Sequence, residues 1–140
     1  MKMTRREVVV AGAGMAAVSM LPLPAFAEVP MVGTAEEFLG GATAGDGGIT
    51  LTAPEIAENG NTVPVSVDAP GAVEIQLYAM GNPVPGIASF KFGPMSGSQA
   101  ASIRIRLAGS QDVVAVAKMA DGSYVQAAKA VKVTIGGCGG

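Results

Sequence analysis

The residue type best suited to covalent chemistry in this sequence is its one cysteine, Cys138. Gly136 and Gly137 precede it, and Gly139 and Gly140 follow it. A thiolate is a strong nucleophile, and glycine restrains the backbone less than any other residue. We therefore predict that these five residues form a flexible arm that presents the thiol to another molecule.

Three other interpretations of Cys138 remain open from the residues alone. The first is a disordered end whose cysteine does nothing, and the second is an intermolecular disulfide. The third is an exported β-sandwich binding module in which the cysteine ligates a metal such as copper. An exposed thiol is a liability in an oxidising compartment, and the sequence has no other cysteine. This pattern favours a cysteine with a chemical role over one that does nothing.

The sequence lacks the side chain that enzymes most often use for acid–base chemistry. It contains no histidine, which is a frequent catalytic base and the commonest metal ligand. A serine or cysteine triad that depends on histidine is therefore excluded. The methionines after residue 27 are scattered, which favours ordinary packing over soft-metal binding. We predict a chain that is not an enzyme and has no metal or other cofactor.

The first 27 residues have the pattern of an export signal. Arg5-Arg6 precedes an apolar run from Val8 to Leu21 and an Ala25-Phe26-Ala27 cleavage box. The run is shorter than the ~20 apolar residues that span a bilayer. The arginine pair favours the twin-arginine route, and an ordinary signal with two incidental arginines is the alternative. We predict that residues 1–27 are removed and that the mature protein is periplasmic.

The remaining chain has the size of one domain and a moderately acidic charge. Removal of the signal would leave 113 residues and change the net charge from −2 to −4, because three basic residues and one acidic residue leave with it. A length of this order suits a single domain. No basic run remains to bind nucleic acid, and no second apolar segment is long enough to span a membrane.

Residues 28–48 are predicted to contain a short helix and a glycine-rich linker. Thr34 and Glu37 have the spacing of a capping box, in which each side chain accepts a hydrogen bond from the other residue's backbone. Gly40 or Gly41 can end the helix. The glycines that follow, up to Gly48, predict a linker.

Residues 49–135 alternate apolar and polar side chains, as in Val63, Val65 and Val67. Turn formers such as Asn59-Gly60 and Asp121-Gly122 separate the runs, and the second pair predicts a tight hairpin. Pro64 cannot donate a ladder hydrogen bond, so its strand is predicted to lie at an edge or to carry a bulge. The pattern predicts an all-β fold, an antiparallel Ig-like β-sandwich of about seven strands with a short N-terminal helix.

One strand is apolar on both faces, where a strand with one face in water would alternate. Either the N-terminal segment covers its outer face, or another protein does. Because a large exposed apolar patch usually marks an interface, the second alternative predicts a partner surface formed by Val113, Val114, Ala115, Val116 and Ala117.

The end of the sequence, from Val133 to Gly140, resembles the carboxyl terminus of the SoxY family, the sulfur-carrier subunits of the thiosulfate-oxidising Sox system. The resemblance runs from about Ile49 to Gly140. It includes segments similar to that family's early turn, its central loop and its paired late strands; these are Pro54–Gly60 followed by Val63-Pro64-Val65, Asn82–Pro85, Arg104–Ala108 and Gln111–Ala117.

This resemblance implies a function and a set of partners. It implies that Cys138 is the covalent attachment point for sulfur intermediates and that the chain forms a heterodimer with SoxZ. It also implies transient contacts with the SoxXA cytochrome, the SoxB hydrolase and SoxCD. A different carrier class, the ubiquitin-like proteins that bear sulfur on a terminal Gly-Gly carboxylate, fits Gly139-Gly140, but those proteins are cytoplasmic and the export signal opposes them.

Overall fold

The computed structural model describes residues 32–136, which form one short helix and nine strands. No helix within this range is long and apolar enough to cross a membrane. In chain order the elements are α1 (Ala35–Leu39), β1 (Gly45–Asp46), β2 (Thr50–Thr52), β3 (Ile56–Asn59), β4 (Val63–Asp68), β5 (Ala72–Ala79), β6 (Gly86–Lys91), β7 (Ala100–Ile105), β8 (Gln111–Met119) and β9 (Tyr124–Ile135).

The strands form two sheets that enclose one hydrophobic core. The larger sheet has the order β1-β9-β8-β5-β6, with β3 also paired to β9, and the smaller sheet has the order β2-β4-β7. Alternate residues of β4, β5 and β8 point into the space between the sheets and are buried there. The structure therefore confirms the predicted all-β, Ig-like sandwich with a short N-terminal helix.

The pairing differs from the antiparallel prediction at two short strands. Both β1 and β3 run parallel to β9, and β3 pairs Ile56 with Lys132 and Asn59 with Ile135. Pro54 follows β2, and the chain then joins the opposite sheet as β3. Because only Ala57 of β3 is buried, this segment lacks the alternation that identifies the other strands.

Pro64 lies in the middle strand of the smaller sheet, and its pairing with β7 has no register shift, so the prediction of an edge position or a bulge was wrong. On one side it pairs with Arg104 of β7. On the other side β2 pairs with β4 only from Ser66 to Asp68, so the pairing stops short of the proline. A missing backbone N–H costs no ladder hydrogen bond where no strand pairs on that side.

The predicted helix start and the predicted hairpin are both present. The Thr34 side chain accepts from the Glu37 backbone at 3.3 Å, and the Glu37 carboxylate accepts from the Thr34 backbone at 2.9 Å. Gly40 ends the helix with a φ of 57°. At the β8–β9 turn, Gly122 has a φ of 88°. The Asp121 carboxylate accepts from both the backbone and the hydroxyl of Ser123, which lowers its pKa.

The segment before β1 packs over the outer face of the larger sheet. The rings of Phe38 and Tyr124 meet edge to face with centroids 5.5 Å apart. A Cβ added to Gly86 would lie 2.7 Å from the carbonyl oxygen of Gly33, so the two backbones are in close contact. Under this face Tyr78 and Val116 are fully buried, although neither belongs to the core between the sheets.

Candidate functional site

The predicted sulfur attachment residue lies outside the described residues. Cys138, Gly137, Gly139 and Gly140 are among the positions that the structure does not describe, as are residues 1–31 with the predicted export signal. The flexible-arm and signal-peptide assignments therefore stay predictions. Gly136 is described, and the site that the structure presents is the base from which residues 137–140 depart.

β9 leads to this base and changes its neighbours on the way. Its first part pairs with β8 as far as the Val131–Gln111 pair, and its last part pairs with β3 as far as the Ile135–Asn59 pair. Beyond β3, the Ile135 carbonyl accepts a hydrogen bond from the Gly60 backbone at 2.7 Å. β9 thus pairs with β8 over residues 124–131 and with β3 up to residue 135, and this pairing sets the position at which the chain reaches Gly136.

A second contact ties this part of β9 to the loop between β7 and β8. The Val133 backbone N–H donates to the Ser110 hydroxyl at 2.8 Å. The same hydroxyl donates to the Val133 carbonyl oxygen at 3.4 Å. Gly60 joins the same loop from the other side, because its carbonyl accepts from the Leu107 backbone at 2.8 Å. The loop formed by residues 106–110, which we call the base loop, therefore contacts the last strand directly.

Gly136 lies directly against the base loop. A Cβ added at this position would be 3.3 Å from the carbonyl carbon of Ala108 and would overlap the carbonyl oxygen. Gly136 is not among the glycines with positive φ, so its requirement is steric. The sequence predicted that this glycine supplies flexibility, whereas the structure gives it a close backbone contact.

Asn82 holds the base loop from inside the molecule. Apart from the Tyr78 phenol, it is the one buried polar side chain among the described residues, with 7% of its surface exposed. Its amide nitrogen donates to the Arg106 carbonyl at 2.8 Å, and its amide oxygen accepts from the Ala108 backbone at 2.9 Å. Gln111 extends the network by donating to the Asn82 amide oxygen at 2.8 Å and to the Gly109 carbonyl at 3.0 Å. Sequence reasoning placed Asn82 in a turn-forming segment and in the loop resemblance of Asn82–Pro85, and it gave the side chain no role.

A shallow groove of about 360 Å³ lies beside the base loop, lined by Glu55, Ser110, Gln111, Asp112, Ala130, Val131 and Lys132. No cysteine or histidine of residues 32–136 lines this groove. Within residues 32–136 no three His, Cys, Asp or Glu side chains are grouped to hold a metal ion. The arrangement around the base offers hydrogen bonds and shape, and the candidate reactive group of this site is the Cys138 thiol.

The residues predicted to form a partner surface are mostly covered by the chain itself. Val113, Ala115 and Ala117 belong to the core between the sheets. Val116 is fully buried on the opposite face, and Val114 beside it is half-buried. The alternative in which the N-terminal segment covers the outer face matches the packing of Phe38 on Tyr124. Contact of these five residues with a partner stays a prediction.

Solved structures with the same fold include a sulfur carrier protein. The chain is 36% identical to the sulfur carrier protein SoxY from Chlorobium limicola f thiosulfatophilum, with a TM-score of 0.63, and the match covers 71% of this chain and 92% of that one. No curated protein matches the chain.

Two superoxide reductases share the fold at lower identity. One is the neelaredoxin from Ignicoccus hospitalis, 21% identical with a TM-score of 0.54, over 61% of this chain and 79% of that one. The other is a putative superoxide reductase from Thermotoga maritima, 14% identical with a TM-score of 0.51, over 61% of this chain and 84% of that one. At such identities the likeness concerns the fold alone.

The family model that matches describes the sulfur oxidation protein SoxY and extends over residues 35–138. It therefore begins with α1 and ends at the cysteine. The match covers most of the chain and includes all nine strands. It names the same family as the solved structure from Chlorobium limicola, which shares the fold and 36% of the aligned residues. On this sequence and structural evidence, the chain belongs to the SoxY family.

Proposed function

We propose that this protein is a covalent sulfur carrier of the Sox system and that Cys138 is the attachment site. The observation that carries this proposal is the family match, which runs through residue 138 and so includes the cysteine. The name of the matched structure from Chlorobium limicola describes a sulfur carrier. The base of the arm supports the same role, because β9 delivers the chain to Gly136 at a fixed point on the surface.

The proposed loading step joins the thiolate to the outer sulfur of thiosulfate. The Cys138 thiolate and thiosulfate form a cysteine S-thiosulfonate and release two electrons, which a haem cytochrome of the SoxXA type accepts. A SoxB-type hydrolase then adds water to the terminal sulfone group. This releases sulfate and two protons and leaves a persulfide anion on the cysteine. A SoxCD-type enzyme then oxidises the remaining sulfane sulfur to a cysteine S-sulfonate, taking three oxygens from water and passing six electrons to a cytochrome acceptor with release of six protons. Hydrolysis of the S-sulfonate releases a second sulfate and restores the thiolate.

In this scheme the carrier itself catalyses nothing. Its sequence supplies no histidine, and the chemistry belongs to the enzymes that receive the arm. We further propose that the protein works as a heterodimer with SoxZ, that it acts in the periplasm, and that residues 1–27 direct export by the twin-arginine route. Because that route moves folded cargo, the signal on this chain would carry both subunits.

Replacement of the thiol by a hydroxyl tests the proposal. We expect Cys138→Ser to abolish thiosulfate-dependent reduction of the coupling cytochrome, since serine cannot form the sulfur–sulfur bond. The unfolding midpoint and the affinity for the SoxZ partner should equal those of the wild type, because residue 138 follows the last strand. Cytochrome reduction that survives in the Cys138→Ser protein would contradict the proposal.

The alternative function, a binding module that uses the cysteine as a metal ligand or crosslink, gives a different result. It predicts a persistent disulfide dimer or a metal complex at Cys138 and no sulfur adduct. Intact-mass measurement of the wild-type protein under the same conditions distinguishes the two.

A further inference from the structure

We infer that the base loop, held by Asn82, is a positioning device that fixes where the carrier arm leaves the sandwich, so that the arm is shorter than its glycines suggest. The inference rests on the proposed function, because it concerns delivery of Cys138 to partner enzymes. It assigns roles to Asn82, Gln111 and Gly136 that do not follow from the position of the thiol.

The first step of the argument is the contact at Gly136. Its backbone lies so close to the Ala108 carbonyl that even a methyl side chain would overlap the oxygen. A flexible side chain could turn away from such a clash, but a backbone carbonyl moves only with its loop. Gly136 is therefore held against the base loop, and we count it with the base of the arm.

The second step is that the base loop cannot yield easily. The Asn82 amide bonds to backbone groups two residues apart, the Arg106 carbonyl and the Ala108 N–H. Gln111 donates to Gly109 while its own amide oxygen accepts from the Gly81 backbone at 2.8 Å. Displacement of Ala108 would break hydrogen bonds of a buried side chain, and unsatisfied buried groups are costly. The base loop therefore limits the positions that the Gly136 backbone can adopt.

The third step concerns reach. If the arm pivots after Gly136, the chain takes two residue steps to the cysteine, through Gly137 to Cys138, which gives about 7 Å at ~3.3–3.6 Å per extended residue. A pivot at the end of β9 would give about 10 Å on the same scale. An enzyme that receives the shorter arm must bring its reacting atoms close to the base loop. The surface around residues 106–110 then faces the enzyme that receives the arm.

The test compares two glycine substitutions that differ only in their surroundings. In Gly136→Ala the new methyl group meets Ala108, whereas in Gly97→Ala, in the loop between β6 and β7 and outside the base loop, it has open space within 4 Å. The readout is kcat/KM of the coupling cytochrome with each carrier and thiosulfate. We expect about a 10-fold loss for Gly136→Ala, since a misplacement of about 1 Å can cost up to about 100-fold, and no change for Gly97→Ala.

A second readout separates positioning from general damage. The rate at which Cys138 reacts with a small aromatic disulfide reagent should be the same in all three proteins, because a small reagent needs no defined arm direction. Equal losses with the reagent and with the cytochrome would overturn the inference. An unchanged kcat/KM in Gly136→Ala would also overturn it, while sulfur loading of the wild type would leave the proposed function intact.

A milder variant covers the case in which Gly136→Ala does not fold. Gln111→Ala removes the hydrogen bonds to Gly109, Gly81 and Asn82 from the half-buried side of the loop. We expect a partial loss of kcat/KM with the cytochrome and an unchanged rate with the small reagent. If Gln111→Ala loads as fast as the wild type, the base loop does not position the arm. If the wild type itself takes up no sulfur at Cys138, the proposed function fails instead.

Discussion

Asn82 is the residue whose chemistry the arm's base depends on most. It donates to Arg106 and accepts from Ala108 and Gln111, so it needs both halves of its amide. Aspartate has the same shape without the donor, and alanine has neither group. Because the site is buried, water cannot replace the lost partners without rearrangement.

We predict that Asn82→Ala lowers the free energy of unfolding by about 1–3 kcal/mol, the usual cost of leaving buried polar groups unsatisfied. Urea unfolding of the folded protein measures this. Asn59→Ala is the matched control, since the Asn59 side chain also accepts from a backbone N–H, that of Asn61 at 3.0 Å, but at an exposed turn. Equal losses in the two variants would show that the buried network contributes no more than a surface turn.

The contrast between Cys138 and Asn82 shows what residue types alone can predict. A single cysteine between two pairs of glycines is an unusual local pattern, and it directed attention to the arm. The Asn82-Pro83 pair is a common turn former, and its local sequence is the same whether the side chain is exposed or buried. Its burial is decided by contacts 24 to 29 residues later in the chain. No local signal could have identified it.

At the level of elements, the strands marked by alternating or continuous apolar side chains were predictable, and the two short strands β1 and β3 were missed. Val63, Val65 and Val67 form one buried face of β4, and Asp121-Gly122 forms the expected turn. β1 has two residues, both exposed, and β3 has one buried residue in four. These strands exist because β9 is long enough to offer them a free edge, which is a property of the whole sheet.

The helix α1 gives a prediction of its own, because its hold on the sheet depends on one ring pair. Phe38→Ala should remove the edge-to-face contact with Tyr124, so the amides of Ala35–Leu39 should exchange hydrogen faster by mass spectrometry. Tyr124→Phe keeps a ring at the same place and is the matched control. Unchanged exchange in Phe38→Ala would show that the helix is held by something other than this pair.

In the whole molecule, the proposed function assigns the scaffold to the β-sandwich and the chemistry to the cysteine that follows it. The sandwich places hydrophobic side chains between two sheets, and the arm carries the only thiol. Tyr78 illustrates how closed the outer face is. Burial, with the nearby carboxylate of Glu74 as the next cause, raises its pKa to about 12. The phenol hydroxyl, which donates to Gln76, therefore stays neutral in the physiological range.

Whether a two-sided apolar strand meets its own chain or another protein could not be predicted from β8 alone. The N-terminal segment and a partner protein would each satisfy the same sequence pattern, because either one removes the outer side chains of β8 from water. The packing of Val32, Gly33 and Phe38 on the larger sheet supplies one cover. Contact of Val114 and Val116 with a SoxZ subunit stays a prediction.

The most direct test of the account is the mass of the peptide that carries the cysteine. The carrier, with its partner subunit, is incubated with thiosulfate and the coupling cytochrome and then cut after Lys132, the last basic residue of the chain. The account predicts that the peptide Val133–Gly140 gains a thiosulfonate group on the Cys138 sulfur. An unmodified peptide during active thiosulfate oxidation, or added sulfur on the Gly140 carboxylate, would contradict it.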